Sequence, residues 1–137
     1  MATMIRPKVS VKNPYWIDKH RYYELKHFCL QYPSWKRAYA ERNCPKTSSL
    51  RNAYTGNEYS DPTADRAIQK AYYSDRIELV EKIARETDRD LHTYILKAVT
   101  QELSYTYLKS RLNIPCGRDM YYDRYRRFFW LLSEARN

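Results

Sequence analysis

Residues 103–132 read LSYTYLKSRLNIPCGRDMYYDRYRRFFWLL, a short helix, a tight turn and a second helix. Ser104 has the side chain to cap the first helix, its hydroxyl accepting a backbone N–H that the first turn leaves open. Tyr105, Leu108 and Leu112 then face one side. Asn113-Ile114-Pro115 makes the turn, with Ile114 the apolar residue that packs between the helices. Cys116 and Gly117 open the last helix, where Gly117 supplies no side-chain cap. On that helix Tyr121, Tyr125, Phe128 and Leu132 recur at i, i+4, i+7 and i+11 and mark an inner face. Asp119, Asp123, Arg126 and Arg127 point roughly the other way, flanked by Arg118, Tyr122 and Arg124.

A short apolar helix, a turn and a basic helix is an arrangement that carries side chains into a DNA major groove, where the first turns of the second helix meet base edges. On this pattern Arg118, Asp119, Tyr122 and Asp123 read bases, since arginine forks onto guanine and a carboxylate accepts from cytosine N4. Lys109, Arg111, Arg124, Arg126 and Arg127 are placed for phosphates, which supply affinity and register rather than discrimination. Periodicity alone also admits a basic amphipathic helix whose arginines form a solvated face.

Working outward, residues 61–102 read as central helices. Asp61-Pro62 is an N-cap followed by proline at the first helical position, opening a helix that runs to about Glu86. Ile68, Tyr72, Leu79 and Ile83 line one ridge of it, and Tyr73, Ile77, Val80 and Ala84 the next. A stripe that wide calls for two neighbours or another protomer, which makes this helix the candidate for self-association. Thr87 or Asp88 caps a following helix faced by Leu91, Tyr94, Ile95 and Ala98. Residues 14–42 read as a helical pair: Asp18 caps a helix to about Gln31, Pro33 ends it, and a shorter helix carries Trp35 and Tyr39. Residues 43–60 crowd Pro, Ser, Thr, Asn and Gly without apolar repetition and read as a linker. Residues 1–13 read as a flexible basic arm, and 103–137 as the helix-turn-helix segment.

Only 2 glycines among 137 residues, with 30 % charged side chains, favour an all-α helical bundle over a turn-rich β architecture. The formal charge of +9 attracts polyanions. It is uneven: residues 1–60 carry a net +7, residues 61–103 a net −2 and residues 104–137 a net +4. The basic ends bracket a near-neutral scaffold. Three cysteines without a C-x-x-C pair argue against zinc and against a disulfide framework. His20, His27 and His92 are dispersed, and Glu78, Glu81 and Glu86 read as the solvated side of a helix with Glu78–Lys82 an i, i+4 pair. No phosphate loop, nucleophile elbow or metal motif is present, so no catalytic residue, metal or cofactor is expected. Without an apolar leader or a long apolar run, the expected setting is a reducing cytoplasm, away from membranes. The N-terminal aromatics Tyr15, Trp16, Tyr22, Tyr23, Phe28, Tyr32, Trp35 and Tyr39 are interleaved with lysines and arginines. They read as a small aromatic core under snorkelling cations, as a stacking surface for single strands, or as a face for RNA polymerase or another protomer.

Segment 104–132 resembles the sigma-factor-like helix-turn-helix of phage transcriptional regulators of the ArpU/RinA type. The resemblance rests on Tyr107-Leu108, Ile114-Pro115, Gly117-Arg118-Asp119, Tyr121-Tyr122 and Arg126-Arg127-Phe128-Phe129. It extends upstream through Asp61-Pro62-Thr63, Ile77-Glu78-Leu79-Val80, the run from Tyr94 to Thr100, and Arg21-Tyr22-Tyr23-Glu24-Leu25-Lys26. It implies a DNA-binding activator of late phage genes in the bacterial host cytoplasm. Gly117 departs from the Ser or Thr that often caps such a helix. The expectation is therefore a sequence-specific duplex-DNA-binding regulator acting as a homodimer, since one such helix reads few base pairs. A small terminase-like DNA-packaging subunit, or a phage protein that inhibits a host nucleic-acid enzyme, are the alternatives.

Overall fold

The computed structural model describes residues 12–43 and 62–137. These form six α-helices and no strand: α1 (Lys19–Leu30), α2 (Tyr32–Asn43), α3 (Pro62–Thr87), α4 (His92–Gln101), α5 (Tyr105–Arg111) and α6 (Arg118–Ala135). The fold is an all-α helical bundle. Nearly all of the expected arm 1–13 and linker 43–60, and the Asp61 cap, lie outside the described residues.

Local chemistry sets most helix ends. Asp18 Oδ2 accepts from His20 N at 2.9 Å, and Ser104 Oγ accepts from Tyr107 N at 3.1 Å, so both predicted caps are in place. Pro33 has a different role from the one expected. The chain breaks at Gln31, and Pro33 lies in the first turn of α2 with Tyr32 already helical, where its missing N–H leaves no helical partner unpaired. Before α4, Asp88 rather than Thr87 organises the turn: its Oδ1 accepts from Asp90 N and Leu91 N at 2.8 and 2.9 Å. Thr87 is buried and its hydroxyl donates to Ile83 O at 2.7 Å. Helix α6 starts at Arg118, two residues later than expected, with Cys116 outside it and Gly117 as an N-cap without a side-chain bond.

α4 and α5 end by the same device. Glu102 and Asn113 take left-handed backbone angles, φ 56° and 53°. Each is followed by an apolar residue whose N–H returns to the helix: Leu103 to Ala98 O and Ile114 to Leu108 O, both at 3.1 Å. This satisfies carbonyls that would otherwise be orphaned and folds Ile114, fully buried, back over Leu108. Glu102 carries an L side chain in a conformation that favours glycine. Its carboxylate meets the buried Lys26 ammonium of α1 at 3.0 Å, which fixes it there.

One core joins segments that the sequence divided into three. Leu25 and Cys29 of α1, Val80 and Ile83 of α3, Ile95 and Val99 of α4, Leu108 of α5, and Tyr121, Phe128, Phe129 and Leu132 of α6 belong to one buried cluster. The Tyr22 hydroxyl is hydrogen-bonded to that of Tyr125 at 2.8 Å, and the Tyr22 ring meets Phe129 edge-on at 5.2 Å. Segment 103–137 is thus locked to α1 by an aromatic cluster.

The two ridges of α3 fare differently. The ridge from Tyr73 to Ala84 faces α2 and the core: Arg42 of α2 stacks on Tyr73 at 5.1 Å and donates to Gln69 at 2.6 Å, and Lys70 covers Tyr39 at 5.9 Å. On the other ridge Ile83 is buried, yet Ile68 and Tyr72 remain 67 % and 49 % exposed. The second neighbour that the stripe calls for covers only the C-terminal half of α3.

Candidate nucleic-acid interface

The end of α5, the turn and the start of α6 make one corner of the molecule. Tyr105 stitches it: its ring packs 5.5 Å from Tyr121, its hydroxyl donates to Cys116 O at 2.8 Å, and the Arg118 guanidinium lies over it at 5.0 Å. Around this anchor Tyr107, Lys109, Arg111, Arg118, Asp119 and Met120 are exposed. Lys109 Nζ reaches toward Ile114 O at 3.5 Å, and Arg111 stands clear of the core. Of the expected base-reading set, Arg118 and Asp119 lie on this corner, while Tyr122 and Asp123 are half-buried one turn further on. Exposed Tyr107 and Met120 were not anticipated as site residues. Their signal was available, since both fall off the apolar face of their helix.

The expected phosphate set divides. Arg124 does not extend toward solvent: its Nε donates to Asp88 Oδ2 at 2.7 Å, and its Nη1 is held by neighbouring Asp123. The Asp88 side chain is 12 % exposed. Burial alone would raise its pKa, but the Arg124 bond and two backbone N–H groups outweigh that and hold it below the ordinary 3.8. The same bond raises Arg124. Arg124 is therefore a tie between α6 and the α3–α4 turn, and it uses up Asp123, one of the two carboxylates expected to meet bases.

Arg126 and Arg127 lie on the outer face of α6 but are half-buried, with both Nε atoms enclosed and without a hydrogen-bond partner. The segment before α1 runs across this part of the helix. Tyr15 packs 5.9 Å from Trp130, and its hydroxyl accepts from Arg127 Nη1 at 3.3 Å. Arg21 continues the contact, donating to the Ser133 hydroxyl and carbonyl at 3.1 Å each. The outer face of α6 is thus open over its first turn and strapped over its second half. An i, i+4 pattern shows which way an arginine points but not which distant segment crosses in front of it.

The tyrosines of the inner face stay protonated, because burial pushes Tyr121 and Tyr125 well above the usual phenol value. Cys29 is buried and its thiol is likewise raised by burial. His20 and His27 are exposed on α1, and His92 donates from Nδ1 to Arg89 O at 2.9 Å. Lys82 reaches Glu86 at 3.9 Å rather than Glu78. Among the described residues no three His, Cys, Asp or Glu side chains converge to hold a metal ion, and no helix is long and apolar enough to cross a membrane. Part of the N-terminal aromatic set forms a core: Phe28 meets Trp35 edge-on at 4.8 Å, both buried, and Lys36 lies over Tyr32 at 5.6 Å. No protein family, curated protein or solved structure matches the chain.

Proposed function

We propose that the protein binds duplex DNA sequence-specifically through the α5–turn–α6 corner and regulates phage gene transcription, with a second copy supplying the second half-site. The observation that carries this reading is the corner itself. Lys109, Arg111 and Arg118 are exposed around the open first turn of α6, while an aromatic inner face holds that helix rigidly to the core. The division of labour is narrower than the sequence pattern suggested. Arg118 and Asp119 are the base readers, and Tyr122 stands behind them. Lys109 and Arg111 meet phosphates on the α5 side. Arg126 and Arg127 contribute positive potential from under the strap, and Arg124 aligns the helix.

The test is binding of the full chain to duplex fragments from the surrounding genome, with protection mapping and a salt titration. Arg118→Ala should cost about 1–3 kcal/mol at the cognate site and relax its sequence preference, whereas Lys109→Ala or Arg111→Ala should weaken all duplexes alike and lower the salt slope by about 1. Cognate binding unchanged by Arg118→Ala would rule out the reading. A second reading has its own support in exposed Tyr107 on α5 and exposed Met120 next to Asp119 on α6, an amphipathic mix suited to a protein partner such as a host nucleic-acid enzyme. Absence of any salt-dependent duplex binding would favour it.

A further inference from the structure

We infer that the exposed ridge of α3 is a two-fold interface with a second copy of this chain, the two α3 helices crossing antiparallel about Lys70 and Ala71. Two of the five exposed large hydrophobic residues among those described, Ile68 and Tyr72, lie one turn apart on this ridge. The opposite side of the helix is occupied by α2, through Tyr39, Arg42 and the bond from Tyr32 to Glu81. Among the described residues, no helix lies against the ridge itself. Tyr72 is held in place by Arg76, whose guanidinium lies 3.5 Å from the ring centre and donates to Tyr72 O at 3.2 Å.

Charge selects the occupant. Asp65 and Arg76 are eleven residues apart, three turns of helix, and so share one flank of the ridge. A two-fold axis relating antiparallel copies sets the same flank of each helix side by side, as an isologous contact requires. Centred between Lys70 and Ala71, it places Asp65 against the second copy's Arg76 and Arg76 against the second copy's Asp65, with Ile68 and Tyr72 interleaved between them. The surrounding charge is close to balanced: Arg66, Lys70 and Arg76 stand against Asp65 and Asp75 over residues 62–76 in a chain of +9, so two such molecules repel little along this section. At about 1.5 Å rise per residue, the buried C-terminal halves of the two α3 helices would lie about 40 Å apart. The dimer's role in reading two half-sites rests on the DNA-binding reading above, but the association itself does not.

Sedimentation of the full chain over a concentration series, without DNA, tests it. The wild-type chain should reach a dimer, and Ile68→Glu and Tyr72→Glu should each hold it at monomer with helical circular dichroism intact. Asp65→Arg and Arg76→Asp should each weaken the dimer roughly tenfold or more by opposing like charges. The double swap should restore it, and an equimolar mixture of the two single variants should form the heterodimer. A chain monomeric at every concentration, a ring of many subunits, or a dimer indifferent to Ile68→Glu and Tyr72→Glu would each overturn the interface. A dimer that fails to bind duplex DNA would leave the interface standing and defeat the DNA reading instead. A monomer that still binds DNA would do the reverse.

Discussion

The two halves of α3 belong to one unbroken 26-residue helix, yet they live in different surroundings. The C-terminal half buries Val80, Ile83 and Ala84 in the core shared by α1, α4, α5 and α6. The N-terminal half packs on α2, through cation–π stacks and one guanidinium–amide bond, and among the described residues Ile68 and Tyr72 are left exposed. The same helical periodicity thus serves stability at one end and is spare at the other. A face that keeps two large apolar side chains exposed with no described helix against it is the expected mark of a surface kept for a partner.

The largest effect that could break this contrast is truncation of the core. Phe128 is fully buried where α6 meets the other helices, so Phe128→Ala should lose about 3–5 kcal/mol. Ile68→Ala, on the exposed half of α3, should change the stability of the isolated chain by less than about 0.5 kcal/mol. Urea unfolding of both variants at a concentration below dimer formation checks the difference. Equal losses at the two sites would mean that the ridge is covered from within the chain.

A smaller effect distinguishes the tie at the core end from the stacks at the other. Asp88 is held below its ordinary pKa by the bonds it accepts once folded. Its contribution is therefore fully present above about pH 4 and is lost as the pH falls through the lowered folded-state value. Thermal melts of wild-type protein should show this loss as the pH falls below about 4. Arg124→Ala should cost about 1 kcal/mol at neutral pH, screening reducing the effect at the partly exposed guanidinium, and should flatten the acid-side decline. An unchanged acid profile in Arg124→Ala would mean that the two backbone N–H bonds alone hold Asp88.

The contrast also shows what was legible in the residues. Caps at Asp18 and Ser104, the Asn113 turn, buried Ile114 and the inner face of α6 follow from chemistry within a few positions along the chain, and each is in place. Phe129 was readable too, since a neighbour of Phe128 widens the same apolar face. What was not legible depends on contacts far apart in sequence. Arg124 finds Asp88 thirty-six residues earlier, and Arg127 meets Tyr15 one hundred and twelve earlier. Periodicity showed that α3 carries a wide stripe but not where its cover stops. It showed that Arg126 and Arg127 point outward but not that a strap crosses them. For the interface, Arg118 and Asp119 could be placed from the helix start alone, because the first turn of a helix projects whatever packs behind it.

The smallest expected effect falls at that helix start. Gly117 caps α6 with φ −81°, an ordinary extended backbone, and a Cβ added there would meet nothing within 4 Å. Glycine is thus not required by the turn, unlike the left-handed positions that end α4 and α5. Gly117→Ser would supply an oxygen to accept an open N–H of the first turn and should raise stability by a few tenths of a kcal/mol, about the difference between a glycine and a serine cap. The consequence for binding runs the other way if those N–H groups face a phosphate, because the new hydroxyl would occupy the donors that an anion at the helix start would use. Gly117→Ser should therefore melt slightly higher and bind duplex DNA more weakly, with the affinity loss shared by all sequences. Higher stability with undiminished binding would mean that no phosphate sits on the α6 N-terminus, leaving that role to Lys109 and Arg111 alone.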